Sequence, residues 1–218
     1  MSGAPPRPIL DPRDAMAENW PELRLHQVRH DIRRFGLVPD PRELLPADIL
    51  LIAGSSPVSR LIGRAQTRAG FAAHDAMWSH VALFTGDNMV VEANPWGGVA
   101  LRPMVEATFG RRILARRRPG LAMEDRYRVV IKALAHLRRR YSILTVPSLA
   151  WRAWAGPRAR PSGHVGGITI CSTLVADAYV EAVQADIRPP SMGAAWPADV
   201  SHTDRLSDVT IGWVRVRQ

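Results

Sequence analysis

Apolar and polar positions change period several times along the chain. Asp48 is followed by Ile49-Leu50-Leu51-Ile52-Ala53, an unbroken apolar run closed by Gly54, which predicts a buried strand. Ser55-Ser56-Pro57 then offers an N-cap with proline near the first helical turn, and Val58, Leu61, Ile62 and Ala65 continue at helical spacing. A glycine- and alanine-containing loop is expected over 67–77. Short apolar runs at 79–84, 89–93, 99–101 and 112–115 predict further strands, with turn signals at Thr85-Gly86-Asp87-Asn88 and Asn94-Pro95-Trp96-Gly97-Gly98. Residues 122–140 read as a helix with Tyr127, Val130, Ile131, Leu134 and Leu137 on one face. A second helix is expected over 171–185, striped by Leu174, Val175, Ala178, Tyr179 and Ala182, and a last strand over 211–216. Strands cluster as hairpins between helices, so the pattern predicts an α+β fold with a mostly antiparallel sheet.

Order is expected to begin near Leu45. Residues 1–44 carry Pro5, Pro6, Pro8, Pro12, Pro21, Pro39 and Pro41 and read as an N-terminal arm, with one short helix over 22–35. Residues 45–218 then form the main domain. The chain has 218 residues, enough for one domain with a full core. Hydrophobic residues are 46% and charged residues 22%, which argues against global disorder.

The net charge of +9 permits an anionic partner, but Lys132 is the only lysine and the arginines are spread out. Few aromatics interleave with the clusters Arg111-Arg112, Arg116-Arg117-Arg118 and Arg138-Arg139-Arg140, so nucleic acid is not the expected partner. No run approaches the roughly 18 apolar residues of a membrane span. Met1 to Arg13 lack the apolar core of a secretory signal, so the expected location is the cytoplasm.

Cys171 is the only cysteine, which excludes an internal disulfide. It opens the helical pattern after Gly166-Gly167-Ile168-Thr169-Ile170, where first-turn N–H groups and the helix dipole favour a thiolate. A free cysteine is also among the most buried residue types, so position alone leaves an inert core thiol open. His80 opens a predicted strand. Glu92 interrupts the apolar run Met89-Val90-Val91 to Ala93 in the next, and a buried carboxylate there needs a partner. Together they would form a nucleophile, a base and an orienting group: Cys171, His80, Glu92. Side chains alternate faces along a strand, so His80 and Glu92 can meet only across an odd-length or bulged turn. Trp78, Ser79, Asn94, Trp96 and Ser172 flank the three and are the expected substrate-binding residues, with core packing the competing role for the tryptophans. Trp151 and Trp154 carry the same two roles. His74, His136, His164 and His202 are weaker candidates. No histidine pair has a metal-site spacing and no phosphate-binding glycine loop is present, so neither a metal nor another cofactor is expected.

The order Asp-Ile-Leu-Leu, Trp-Ser-His-Val-Ala-Leu, Val-Val-Glu-Ala and late Ile-Cys-Ser-Thr-Leu-Val resembles the circularly permuted branch of the NlpC/P60 superfamily of papain-like cysteine hydrolases. The YiiX/YaeF-like group is most similar, with the lecithin:retinol acyltransferase-like proteins more distant. The resemblance covers roughly residues 45–185. It implies a papain-like α+β fold in which the nucleophile-bearing helix packs against an antiparallel sheet. It also implies Cys171 as nucleophile, His80 as general base and Glu92 as the polar third member. Ser142 after Tyr141 stands where the family often carries Asp, and Pro46-Ala47-Asp48 replaces its usual Gly-Asp start.

The reaction so implied is acyl transfer through a thioester, with amides at the start of the Cys171 helix as oxyanion donors. A peptidase or amidase acting on a small peptide-like substrate, of cell-wall type in some relatives, is the first expectation. A lipid acyltransferase or thioesterase on a lipid-like substrate is the second, and a catalytically silent binding module the third.

Overall fold

A computed structural model of the chain describes residues 6–16, 21–23, 36–94, 97–138, 171–187 and 195–216. Its strands are β1 (Glu22–Leu23), β2 (Leu37–Pro39), β3 (Ile49–Ala53), β4 (His80–Gly86), β5 (Met89–Asn94), β6 (Gly98–Pro103), β7 (Arg112–Arg117), β8 (Ser207–Val209) and β9 (Trp213–Val216). The α-helices among the described residues are α1 (Pro57–Arg68), α2 (Ala73–Ala76), α3 (Met104–Thr108), α4 (Met123–Leu134), α5 (Cys171–Val183) and α6 (Pro197–His202).

Strand β3 has no polar alternation because both its faces are buried. It lies inside a six-stranded sheet ordered β6-β5-β4-β3-β7-β8, in which every neighbouring pair is antiparallel. On one face Leu51, Val81, Leu83, Val91 and Leu114 pack against α4 and α5 through Val129, Ala133, Leu174, Val175, Ala178 and Tyr179. On the other, Leu50, Ile52, Phe84, Val90 and Ile113 meet Leu10, Leu44, Met104, Ala107 and Trp213. The architecture is α+β, with an antiparallel six-stranded main sheet.

Ordered structure reaches back before Leu45. Leu10 bridges Ile113, and β2 and β1 flank β9 in a second, three-stranded sheet, β1 parallel and β2 antiparallel to it. Glu22–Leu23 is thus a strand where a helix was expected; the rest of 22–35 lies outside the described residues. Pro-rich, weakly periodic sequence conceals such strands, because their partner is almost two hundred residues away. Strand β8 and helices α2 and α6 also lacked a sequence signal.

Helix α4 buries a different face from the one its apolar spacing predicts. Arg126, Val129, Val130 and Ala133 are buried, while Tyr127 is 50% and Ile131 63% exposed. The reason is Asp48, fully buried at the start of β3. Such a carboxylate requires cations, and it receives Arg117 at 2.6 Å and Arg126 at 3.3 Å. Drawing Arg126 inward turns the helix by part of a turn and carries Tyr127 and Ile131 outward. Beside Asp48, Ala47 has φ +68°, the left-handed region that favours glycine. Tyr179 Oη donates to the Ala47 carbonyl at 2.6 Å, tying α5 to this corner.

Candidate active site

One extra residue in a hairpin decides whether His80 and Glu92 can meet. Asp87 and Asn88 form a two-residue turn with φ +48° and +59°, and Gly86 pairs with Met89. Extended unchanged, that register would set Glu92 opposite Leu83, on the face His80 does not share. A bulge between Phe84 and Gly86 shifts it by one, so Phe84 pairs with Val90 and Ala82 with Glu92. Thr85, the extra residue, turns its hydroxyl to the Met89 carbonyl at 3.1 Å. His80, Ala82 and Glu92 then share a face, and His80 Nε2 donates to Glu92 Oε2 at 2.7 Å. The second carboxylate oxygen, Oε1, lies 3.6 Å from Arg102 Nε on the edge strand β6.

His80 is the first residue of β4 and Cys171 the first of α5, so both stand at element ends rather than mid-face. Cys171 lies close enough to His80 for each to act on the other's charge, and the backbone amides of Val81 and Ser172 favour a negative sulfur. With Nε2 engaged by Glu92, Nδ1 is the ring nitrogen left for the sulfur. Cys171 keeps 7% of its surface exposed.

The electrostatics follow from this packing. Burial opposes charge on His80, but the Cys171 thiolate and the Glu92 carboxylate outweigh it and push the imidazole up to about 10. Burial also opposes charge on Cys171; the His80 imidazolium, then the two backbone amides, outweigh it and hold the thiol below its ordinary value. Glu92 pays the same desolvation penalty, and His80, Arg102 and Arg111 together hold its carboxyl below the usual range. The favoured state is a thiolate–imidazolium pair with a carboxylate behind it. Such a group can attack an electrophilic carbonyl and deliver a proton to a leaving group.

The expected substrate-binding residues divide. Trp78 has no exposed surface and belongs to the core between sheet and helices, so it cannot touch a substrate. Ser172 is equally buried, its hydroxyl donating to the Ala195 carbonyl. Ser79 is buried too, and its hydroxyl accepts the Gly54 N–H at 2.9 Å. These three hold the site's frame rather than its surface. Asn94 is half-buried at the end of β5, and Trp96, Trp151, Trp154 and His164 lie outside the described residues. Two supporting residues escaped the sequence reading. Gln66 is fully buried; its amide donates to the carbonyls of Ala76 at 3.0 Å and Trp78 at 2.8 Å, and its oxygen accepts the Ala198 N–H at 2.9 Å. It thereby fixes the segment that enters His80. Arg102 is the other, and only the hairpin register reveals it.

His74 and His202 sit elsewhere. They flank the buried Asp75 at 3.4 and 3.2 Å in a cleft of about 400 Å³ lined also by Arg7, Arg116 and Asp208. His136 lies 3.7 Å from Glu181 between α4 and α5.

No protein-family model matches the chain, and no curated protein matches it. Among solved structures it is similar to the crystal structure of metalloprotein yiiX from Escherichia coli O157:H7, with a TM-score of 0.56 and 17% identity. The match covers 77% of this chain and 97% of that one. Among the described residues no group of three or more His, Cys, Asp or Glu side chains is placed to hold a metal ion. At this identity the likeness is one of fold: the chain has the mixed α+β architecture of yiiX.

Proposed function

We propose that this chain is a cysteine hydrolase of the permuted NlpC/P60 type that cleaves an amide bond through a thioester. The observation that carries the reading is the 2.7 Å hydrogen bond of His80 to Glu92, with Cys171 near enough to the same ring to act on its charge. The fold likeness to yiiX supports it, since the sequence motifs resemble the group of that name. The histidine strand precedes the cysteine helix in the chain, as permutation of a papain-like fold requires. Residues 45–218 are the catalytic domain on this reading, and they contain all three residues.

The Cys171 thiolate attacks the substrate carbonyl carbon, forming a C–S bond and an oxyanion. As the carbonyl re-forms, the C–N bond breaks and the His80 imidazolium gives its proton to the departing amine. Water then attacks the thioester while neutral His80 takes its proton. The C–S bond breaks, the acid leaves, and the thiolate–imidazolium pair returns. Glu92 holds the ring in place and stabilises its charge through the cycle.

The test is the pH dependence of Cys171 alkylation by iodoacetamide in the native chain and in His80→Ala. The native thiol should react well below the roughly 8.5 of a free cysteine. In His80→Ala the profile should move up, because burial then acts on the thiolate without its counter-ion. A native thiol that reacts only near the free value, or a profile indifferent to His80, would refute the reading.

A further inference from the structure

Most of the described arginines are engaged. Arg7, Arg13, Arg42, Arg112, Arg116, Arg117, Arg126 and Arg128 pair with carboxylates, Arg102 stands by Glu92, and Arg111, Arg118 and Arg205 reach backbone carbonyls. Exposed Arg138 and Arg215 have no such contact among the described residues, and on helix α1 a whole row of arginines has none. Arg60, Arg64 and Arg68 are all exposed and, among the described residues, none has a carboxylate within ion-pair distance. They recur every four residues, which sets them along one stripe. The helix contains no acidic residue to balance them.

The apolar side of the same helix is only partly used. Of its twelve residues just Ala65 and Gln66 are buried. Val58 and Ile62 are half-buried, and Leu61 is 40% exposed. Leu61 and Arg68 are seven residues apart, so they lie on nearly the same line, beside Arg64. A fold that leaves three cations unpaired beside an unburied leucine has not satisfied this helix internally. A basic stripe bordered by aliphatic side chains suits an interface that is anionic at the surface and apolar beneath. Nucleic acid offers the charge without the apolar layer, and no exposed aromatic on α1 would stack on bases.

We propose that α1 is a peripheral docking surface for an anionic lipid bilayer, with Arg60, Arg64 and Arg68 at the headgroups and Leu61 inserted between them. The helix starts beside the candidate site: Gly54, three residues before Pro57, donates its N–H to Ser79, the neighbour of His80. Docking would therefore hold the His80 end of the sheet close to the membrane. The proposal stands on α1 alone and does not require that Cys171 be a nucleophile.

The test is sedimentation of the full chain with vesicles of phosphatidylcholine alone or with 30% phosphatidylserine, about 0.1 M salt being used throughout. Anionic vesicles should be bound and neutral ones not. The triple variant Arg60→Gln, Arg64→Gln, Arg68→Gln should bind roughly 100-fold more weakly. A control triple that removes the same charge from paired positions, Arg13→Gln, Arg42→Gln, Arg128→Gln, should stay within about tenfold of the native chain. Leu61→Glu should weaken binding with all three arginines present. Circular dichroism confirms that each variant is folded. Equal loss in both triples, equal binding to neutral vesicles, or an arginine-dependent preference for duplex DNA over vesicles would overturn the proposal. Because alkylation of Cys171 is measured without vesicles, failure here leaves the hydrolase reading untouched, and the reverse also holds.

Discussion

Glu92→Gln isolates what the carboxylate charge does for His80. Glutamine has nearly the same shape and can still accept the Nε2–H through its side-chain oxygen, so the 2.7 Å contact survives and only the charge is lost. A hydrogen bond to a charged group contributes about 1.5–3 kcal/mol and one between neutral groups about 0.5–1.5 kcal/mol, a difference of about 1–1.5 kcal/mol. One pH unit corresponds to about 1.4 kcal/mol, so the His80 titration should fall by about one unit. His80 is pushed up to about 10 by Cys171 and Glu92 against the opposing effect of burial, so the variant should titrate below the native ring. The fall is partial because the thiolate still faces the ring. The thiol should move the opposite way, upward, as its counter-ion weakens. The thiolate–imidazolium window thus narrows from both sides. Imidazole ¹⁵N shifts followed between pH 5 and 11, assigned with His80→Ala, read the upper limb, and iodoacetamide rates read the lower. A His80 titration that stays put or rises in Glu92→Gln would refute the argument, because it would mean that the carboxylate is neutral or does not face the ring.

Two further predictions concern the frame around the site. Asp48→Ala should lose about 3–5 kcal/mol in urea unfolding, since it leaves Arg126 buried without its partner, whereas Glu124→Ala, which breaks the exposed pair with Arg128, should lose no more than about 1 kcal/mol. A loss below about 1 kcal/mol for Asp48→Ala would show that the corner is not held by this pair. Asp199→Asn should stabilise the protein at neutral pH. Burial raises the Asp199 carboxyl from 3.8 to about 6 against the opposing Trp196 amide and His202, so between those values the folded state holds the extra proton and stability falls as pH rises. The full penalty, present above about pH 6, is at most about 3 kcal/mol. The variant retains an acceptor for the Trp196 N–H, now 2.7 Å away, and should gain about 1–2 kcal/mol at pH 7 once its buried NH₂ is counted, with no gain below about pH 4. An equal effect at both pH values would rule out the titration.

What the sequence determined about this protein is local. The apolar run of β3, the Ser56 cap that accepts the Ser59 N–H, the Asp87-Asn88 turn and the helix opening at Cys171 all follow from neighbours within a few positions. Cys171, His80 and Glu92 could be named from such signals, because each breaks or opens an element in a way packing alone does not require. Whether two of them touch was a matter of register, and Thr85, one residue in a bulge, decided it. The buried face of α4 was decided by Asp48, some eighty positions earlier, and the roles of Trp78, Ser79 and Ser172 by carbonyls and amides on other elements. The arginines of α1 look like any others in the chain until most of the others are seen to be engaged while this row is not. Period and capping are properties of a segment, so they can be read along the chain. Register, helix rotation and pairing are chosen by contacts between segments distant in sequence, and only the folded structure contains them.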